Sequence, residues 1–368
     1  MEKKKVLVIF GTRPEAIKMC PLVLELRKRS KLDVHLCVTG QHREMLQQVL
    51  DIFKIVPEYD LAIMQPGQTL FDITARVLTH LRDVLLDCRP AMVFVHGDTT
   101  TAFSAALAAY YLQIPVAHVE AGLRTGNLYS PFPEEYNRQA IGLIAAVHFA
   151  PTQQAKENLL REGKPSDHIY ITGNTGIDAL QYTVRPDYQS DLLRWTEGSR
   201  LLLITAHRRE NLGDHMHQMF HAIRRILDAY PDTKAIYPMH MNPQVRNVAD
   251  AELHGCDSIR LIDPLDVVDF HNLMSRCYLI LTDSGGIQEE APALGKPVLV
   301  MRDTTERPEG VAAGTLWLVG TEESSIYSAC AQLLDDPVVY AQMSQSQNPY
   351  GNGDASQRIA DVVEKLLF

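Results

Sequence analysis

The chain has 368 residues, long enough that two domains are expected, because single cores stop growing near about 250–300 residues. With 46% hydrophobic and 22% charged residues it has an ordinary globular composition, and no low-complexity tract or short internal repeat argues for disorder. A formal net charge of −10 excludes a general nucleic-acid or acidic-membrane surface, so any anionic ligand needs a local cluster of cations.

Lys3-Lys4-Lys5 ahead of Val6–Phe10 resembles the start of a signal peptide, but the apolar run is short and Gly11-Thr12-Arg13-Pro14-Glu15 breaks it. A buried first strand is the better reading. No run approaches the roughly 18 apolar residues of a membrane helix. The six cysteines (Cys20, Cys37, Cys88, Cys256, Cys277, Cys330) are scattered without a CxxC pair, which argues against a disulfide framework or a zinc site. A cytoplasmic location is therefore expected.

After Val6–Phe10, strands are predicted at Val34–Val38, Met92–His96, Pro115–Val119 and Val147–Ala150. Helices are predicted between them at Glu15–Arg29, His42–Phe53, Leu70–Cys88 and Thr101–Tyr111. The second half repeats the rhythm with strands at Leu201–Thr205, Ala235–Pro238, Ile259–Ile262, Leu279–Thr282 and Val298–Met301. Helices such as His215–Ala229 and Ile287–Leu294 separate them. Such alternation implies parallel sheets covered by helices on both faces. The expected organisation is α/β, with two Rossmann-like domains facing across a cleft. The N-terminal one spans 1–172 and is joined by a C-terminal helix at 354–368; the other spans 173–353, with the chain crossing within Thr172–Arg200.

Each half opens with a buried strand whose carboxyl end delivers cations: Gly-Thr-Arg-Pro-Glu after Phe10 and Ala-His-Arg-Arg-Glu after Thr205. Ligands of open α/β sheets sit at such strand ends. Asp98 follows the strand Met92–His96, and Glu120 follows Pro115–Val119, so two carboxylates are expected at one sheet edge. Alone, Asp98 reads equally as a helix cap and Glu120 as an ion pair with Arg124. The long loop Gly122–Pro133 runs into Glu134 and Arg138, four residues apart on a helical face; a surface ion pair is the plainer reading of that spacing. Ser284-Gly285-Gly286 opens a helix after a strand, where free N–H groups and small residues suit a diphosphate, although Ser284 as a simple cap fits as well. Glu289 or Glu290, one turn in, suits a ribose diol. His215, His217 and His221 have no carboxylate at ligand spacing in sequence and read as a satisfied helix face. His207 ends a strand where a cation can meet phosphate, and the Arg302–Gly310 segment adds basic groups. The chain contains no G-x-G-x-x-G after a strand and no P-loop motif, so nicotinamide, flavin and P-loop chemistry lose their usual support. Acid–base work on the sugar of a sugar nucleotide fits this inventory, with glycosyl transfer and proton chemistry at a ring carbon both open.

Seven motifs narrow the choice: Phe-Gly-Thr-Arg-Pro-Glu-Ala-Ile-Lys (10–18), Val-His-Gly-Asp-Thr-Thr-Thr (95–101), His-Val-Glu-Ala-Gly-Leu-Arg-Thr (118–125), Pro-Phe-Pro-Glu-Glu-Tyr-Asn-Arg (131–138), Thr-Ala-His-Arg-Arg-Glu-Asn (205–211), Asp-Ser-Gly-Gly-Ile-Gln-Glu-Glu (283–290) and Arg-Asp-Thr-Thr-Glu-Arg-Pro-Glu (302–309). In this order, and over nearly the whole chain, the sequence resembles the non-hydrolysing UDP-N-acetylglucosamine 2-epimerases. The resemblance implies a GT-B-like fold and interconversion of UDP-N-acetylglucosamine and UDP-N-acetylmannosamine without an external cofactor or metal. The implied route eliminates UDP to 2-acetamidoglucal and adds it back, supplying a bacterial surface polysaccharide. By family position Asp98, Glu120 and Glu134 carry acid–base work with His207 beside the diphosphate. Arg13, Lys18, Arg138 and Arg307 bind or neutralise substrate, Ser284, Gly285 and Gly286 hold phosphate, Glu290 holds the ribose, and Phe270 packs on the nucleoside. A regulatory pocket for a second UDP-N-acetylglucosamine is implied at Gln41, Glu44, Arg208 and His240. There Glu44 and Gly67 replace a glutamine and an arginine of some members. A homodimer is implied too.

Overall fold

The computed structural model describes residues 3–40, 43–65 and 67–368, and for residues 43–45 and 209 the backbone alone. The chain forms two compact units, Met1–Gln181 with Tyr350–Phe368, and Tyr182–Pro349. The strands of the first unit are β1 (Lys4–Phe10), β2 (Leu32–Val38), β3 (Tyr59–Asp60), β4 (Met92–His96), β5 (Val116–Val119), β6 (Val147–Ala150) and β7 (Ile169–Ile171). Those of the second are β8 (Arg200–Thr205), β9 (Thr233–Pro238), β10 (Ile259–Ile262), β11 (Leu279–Thr282), β12 (Val298–Val300) and β13 (Leu316–Leu318).

In chain order the helices begin with α1 (Arg13–Arg27), α2 (Arg43–Phe53), α3 (Leu70–Cys88), α4 (Thr100–Tyr111), α5 (Glu134–Ile144), α6 (Gln153–Arg161), α7 (Thr175–Thr183) and α8 (Asp191–Thr196). They continue with α9 (Asp214–Ala229), α10 (Pro243–Leu253), α11 (Val267–Arg276), α12 (Ile287–Ala293), α13 (Pro308–Ala312), α14 (Glu323–Asp335), α15 (Pro337–Ser344) and α16 (Ala355–Leu367).

All strand pairs are parallel. The first sheet runs β3-β2-β1-β4-β5-β6-β7 and the second β10-β9-β8-β11-β12-β13, so both follow the doubly wound order and the predicted α/β class holds. Strand β1 shows why. Val6, Val8 and Phe10 point to one face, packed by Met19, Leu22, Val23 and Leu26 of α1 and by Ile359 and Val363 of α16. Leu7 and Ile9 point to the other, packed by Val77, Leu81 and Leu85 of α3 and by α4 alanines. A strand covered on both faces must be apolar throughout, which is how Val6–Phe10 reads.

The chain leaves the first unit inside α7, between Gln181 and Tyr182, and returns at Tyr350. Departing and returning segments are tied together within that unit. The Asn174 N–H donates to the Tyr350 carbonyl at 2.8 Å, and Asp178 accepts the Ala355 and Ser356 N–H groups at 3.2 and 2.7 Å. Gln181 donates to the Gly353 carbonyl at 2.6 Å. Among the described residues no helix is long and apolar enough to cross a membrane.

Candidate active site

In the first unit the strand order reverses between β1 and β4, and the chemistry gathers at their carboxyl ends. Thr12 caps α1 in a reciprocal box with Glu15. The buried Glu15 carboxylate accepts the N–H groups of Gly11 and Thr12 at 3.1 and 2.8 Å and the Thr99 hydroxyl at 2.7 Å, so one side chain ties the turn after β1 to the turn after β4. Gly11 is required there, since a Cβ would lie 2.0 Å from Thr39 Oγ1. This turn launches α1, which carries Arg13 and Lys18.

Strands β4 and β5 pair His96 with Val119. Asp98 and Glu120 therefore leave adjacent strand ends, as the sequence predicts. Glu120 has φ +60, a left-handed conformation uncommon for a non-glycine residue. Three nitrogens converge on its Oε2: Lys18 Nζ and Asn174 Nδ2, the latter at 3.3 Å, donate hydrogen bonds, and His96 Nε2 lies 3.3 Å away at ion-pair distance. Burial alone would raise the Glu120 carboxyl, but the charges and hydrogen bonds of Lys18 and His96 prevail and hold it well below the usual carboxylate range. The plain ion pair with Arg124 is not made; Arg124 binds Glu162 at 2.6 Å instead.

Asp98 is not the cap of α4, a role Thr99 fills, but the ion-pair partner of Arg138 on α5. Asn137 fixes the same turn by donating to the Asp98 carbonyl at 2.9 Å. Glu135, wholly buried, accepts the Thr125 and Gly126 N–H groups at 3.1 and 3.3 Å and the Gln139 amide at 2.9 Å, anchoring the long loop on α5. Arg138 reaches Glu135 at 3.4 Å, so the spacing that pointed to a Glu134–Arg138 surface pair serves another arrangement. Glu134, the first residue of α5, is half-buried, and its side chain makes no hydrogen bond or ion pair among the described residues.

The second unit repeats the geometry with different content. Between β8 and β11 lies Asp283, with no exposed surface. One oxygen accepts the N–H groups of His207 and Arg208, both at 2.8 Å, and the Asn211 amide at 3.2 Å; the other lies 3.2 Å from His207 Nδ1. Burial pushes the Asp283 carboxyl up, yet the His207 ring and the backbone donors outweigh it and keep it below its ordinary value. Above this carboxylate opens a pocket of about 200 Å³ lined by His207, Met239, His240, Leu265, Phe270 and Ser284, among others. The rings of His207 and His240 stack at 5.5 Å. Burial, then the neighbouring His207 charge, lowers the His240 pKa.

Ser284 does not cap α12, whose N-cap is Gly286; its N–H donates to Thr282 Oγ1 at 2.9 Å. At Gly285 a Cβ would come within 2.9 Å of Arg307 Nη1, so glycine is what lets the guanidinium lie against the turn. Arg307 Nε donates to Glu289 at 2.8 Å, while Glu290 pairs with the buried His271 at 3.4 Å. Arg307 is thus gathered with Gly285 and Glu289.

Of the regulatory candidates, Gln41 lies outside the described residues and Glu44 is described only as backbone in α2. Gly67 is exposed at φ +70. Arg208 contributes its N–H to Asp283, and His240 lines the pocket shared with His207 and Phe270. His217 and His221 bracket Glu252 of α10 at 2.6 and 2.5 Å, and His215 meets Thr321 at 2.8 Å. That helix face is satisfied by partners the sequence does not bring near. Among the described residues no group of three or more His, Cys, Asp or Glu is arranged for a metal ion. Sequence reasoning missed Glu15, His96, Glu135, Asn174 and Asp283 as site residues. The Thr12-x-x-Glu15 capping signature was available for one of them; the others act only through tertiary contacts.

Comparison with known proteins accords with this arrangement. A family model described as UDP-N-acetylglucosamine 2-epimerase matches residues 24–364. A Bacillus subtilis (strain 168) protein named UDP-N-acetylglucosamine 2-epimerase is 58% identical, covering 100% of this chain and 96% of its own. A UDP co-structure of an S. aureus protein has 51% identity and a TM-score of 0.92, covering 99% of this chain and 97% of that one. The Neisseria meningitidis UDP-GlcNAc 2-epimerase bound to UDP-GlcNAc has 49% identity and a TM-score of 0.90, covering 98% and 100%. With both sheets, their reversed strand order and these matches in hand, the chain belongs to the UDP-N-acetylglucosamine 2-epimerase family, a family of isomerases.

Proposed function

We propose that the protein interconverts UDP-N-acetylglucosamine and UDP-N-acetylmannosamine by elimination of UDP and its re-addition. The observation that carries this reading is the pair of carboxylates, Asp98 and Glu120, on adjacent strand ends, each clasped by its own cation. The C2 proton of the sugar is poorly acidic because no neighbouring carbonyl stabilises a carbanion. Its removal therefore accompanies departure of UDP from C1, giving 2-acetamidoglucal, and cations stabilise the leaving diphosphate. Return of the proton from the opposite face inverts C2, which calls for more than one acid–base group among Asp98, Glu120 and Glu134. Glu120 is held in the ionised form, the one that can take up a proton.

In the second unit Phe270 packs on the nucleoside, Ser284, Gly285 and Gly286 hold phosphate, and Glu290 holds the ribose. His207 and Arg307 neutralise the diphosphate, as Arg13, Lys18 and Arg138 do for charge developing on the sugar side. A second UDP-N-acetylglucosamine acts as activator through Gln41, Glu44, Arg208 and His240. The protein works as a cytoplasmic homodimer feeding surface-polysaccharide synthesis. Support for a dimer comes from large apolar residues left exposed on three successively packed helices: Leu86 of α3, Tyr110 and Tyr111 of α4, and Leu143 of α5.

Proton NMR of the protein with UDP-N-acetylglucosamine in heavy water tests the central reading. The expected result is deuterium at C2 with both epimers at equilibrium. Accumulation of free N-acetylmannosamine would point to a hydrolysing epimerase, and absence of exchange without an acceptor to a glycosyltransferase or a sensor.

A further inference from the structure

Glu120 is held more elaborately than an ion pair requires. Its backbone sits in the left-handed region, a conformation the surroundings must impose. Its three side-chain partners come from separate elements: Lys18 from α1, His96 from the end of β4, and Asn174 from the turn before α7. All three meet the same oxygen, Oε2. Oε1 faces Gly97, where even an added Cβ would stand 3.8 Å away, and Gly97 itself has φ +61. The Gly97 carbonyl is in turn gripped by His118 at 2.7 Å.

His96 adds a second observation. Its side chain is 6% exposed, and Nε2, buried and engaged in no well-aligned hydrogen bond, lies 3.3 Å from Glu120 Oε2. A buried ring nitrogen left over for one carboxylate oxygen has no packing rationale that a leucine or phenylalanine would not serve better. Asn174 is placed from both sides. Its side-chain oxygen accepts the Gly176 N–H at 2.8 Å, and its own N–H reaches the Tyr350 carbonyl at 2.8 Å, so its amide nitrogen is aimed at Glu120 by the backbone.

We propose that His96 and Asn174 are positioning residues that immobilise Glu120 through Oε2 and thereby present Oε1 as the single oxygen that exchanges a proton with the sugar. The proposal rests on the epimerase reading and deepens it. A carboxylate free to rotate would offer either oxygen in many orientations, whereas a clamped one keeps one lone pair on one line, as proton transfer requires. The charged and titratable groups facing Glu120 are Lys18, His96 and, behind Gly97, His118.

The test uses the full chain. His96→Phe keeps the volume and removes the donor; His96→Gln restores a donor near the Nε2 position without a titrating ring; Asn174→Ala removes the second donor. We expect His96→Phe to lower kcat for epimerisation about 10- to 100-fold with KM within about twofold. It should also move the acid limb of the kcat profile upward by about one pH unit, because a carboxylate that loses a donor binds its proton more tightly. His96→Gln should recover kcat to within about threefold of wild type, and Asn174→Ala should shift the limb in the same direction by less. An unmoved acid limb in both His96→Phe and Asn174→Ala overturns the proposal, as does a His96→Gln variant as slow as His96→Phe. If His96→Phe does not fold, the Asn174→Ala variant decides: an acid limb moved upward supports the proposal and an unmoved one overturns it. Wild-type protein that does not exchange C2 hydrogen refutes the epimerase reading instead, so the two failures are distinguishable.

Discussion

The two sheets share one strand order, yet their reversal points use a carboxylate in opposite ways. In the first unit Glu120 stands at the edge itself, clamped by Lys18, His96 and Asn174 and held in a left-handed conformation. In the second Asp283 is drawn beneath the edge, where its oxygens organise the His207 and Arg208 backbone and leave the surface to imidazoles and apolar walls. The first arrangement keeps a carboxylate at the sheet edge; the second puts one beneath the edge and leaves a pocket over it. Topology decides where a site can form, and the residues after each strand decide what it does.

The contrast can be broken most forcefully at Glu120. Glu120→Gln is expected to cut turnover by at least about 100-fold while UDP binding, measured by calorimetry, stays within about twofold. A parallel loss of UDP affinity would erase the division of labour. Next in size is Ile359→Ala in α16, which empties space against α1 and should cost about 2–4 kcal/mol in urea unfolding. Hydrogen exchange should report the loss in the first unit and not in the second.

Acid sharpens the comparison further. Burial lowers the pKa of His118 to about 3 and that of His148 to about 4, both in the first unit. Between pH about 6.5 and 4 the unfolded chain binds protons that these buried rings refuse, so stability falls as pH falls, by up to ~1 kcal/mol per histidine and pH unit. Exchange protection measured at pH 7 and pH 5 should therefore drop first in the first unit. The smallest effect is expected at the second edge. Asp283→Asn keeps one acceptor for the His207 and Arg208 N–H groups but removes the charge and sets an NH2 group against His207 Nδ1, and should weaken UDP binding about tenfold, with little change in first-unit protection.

Much of this was legible in the sequence, and the reasons differ by element. Strands β4, β6, β10 and β11 and helix α3 have the predicted limits, and α16 lies within one residue of them at each end, because buried parallel strands are continuous apolar runs and these helices are strongly periodic. Strands β3, β7 and β13 were not foreseen. They have only two or three residues at or next to sheet edges, where pairing depends on a neighbour and not on a local pattern. Asp98 and Glu120 could be placed side by side because they follow consecutive strands. Asn174 could not, since it reaches Glu120 from 54 positions away. Asp283 was visible as a residue but not as a support, because only the fold shows that one of its oxygens faces the His207 and Arg208 backbone and the other the His207 ring.

The route of the chain through α7 has a consequence of its own. The second unit leaves and re-enters the first through segments that Asn174, Asp178 and Gln181 pin to residues 350–356. It is thus a guest carried on a host whose doorposts already stand together. A short bridge from Gln181 to Tyr350 would close the host without stretching it, making the second unit a cassette open to excision or exchange.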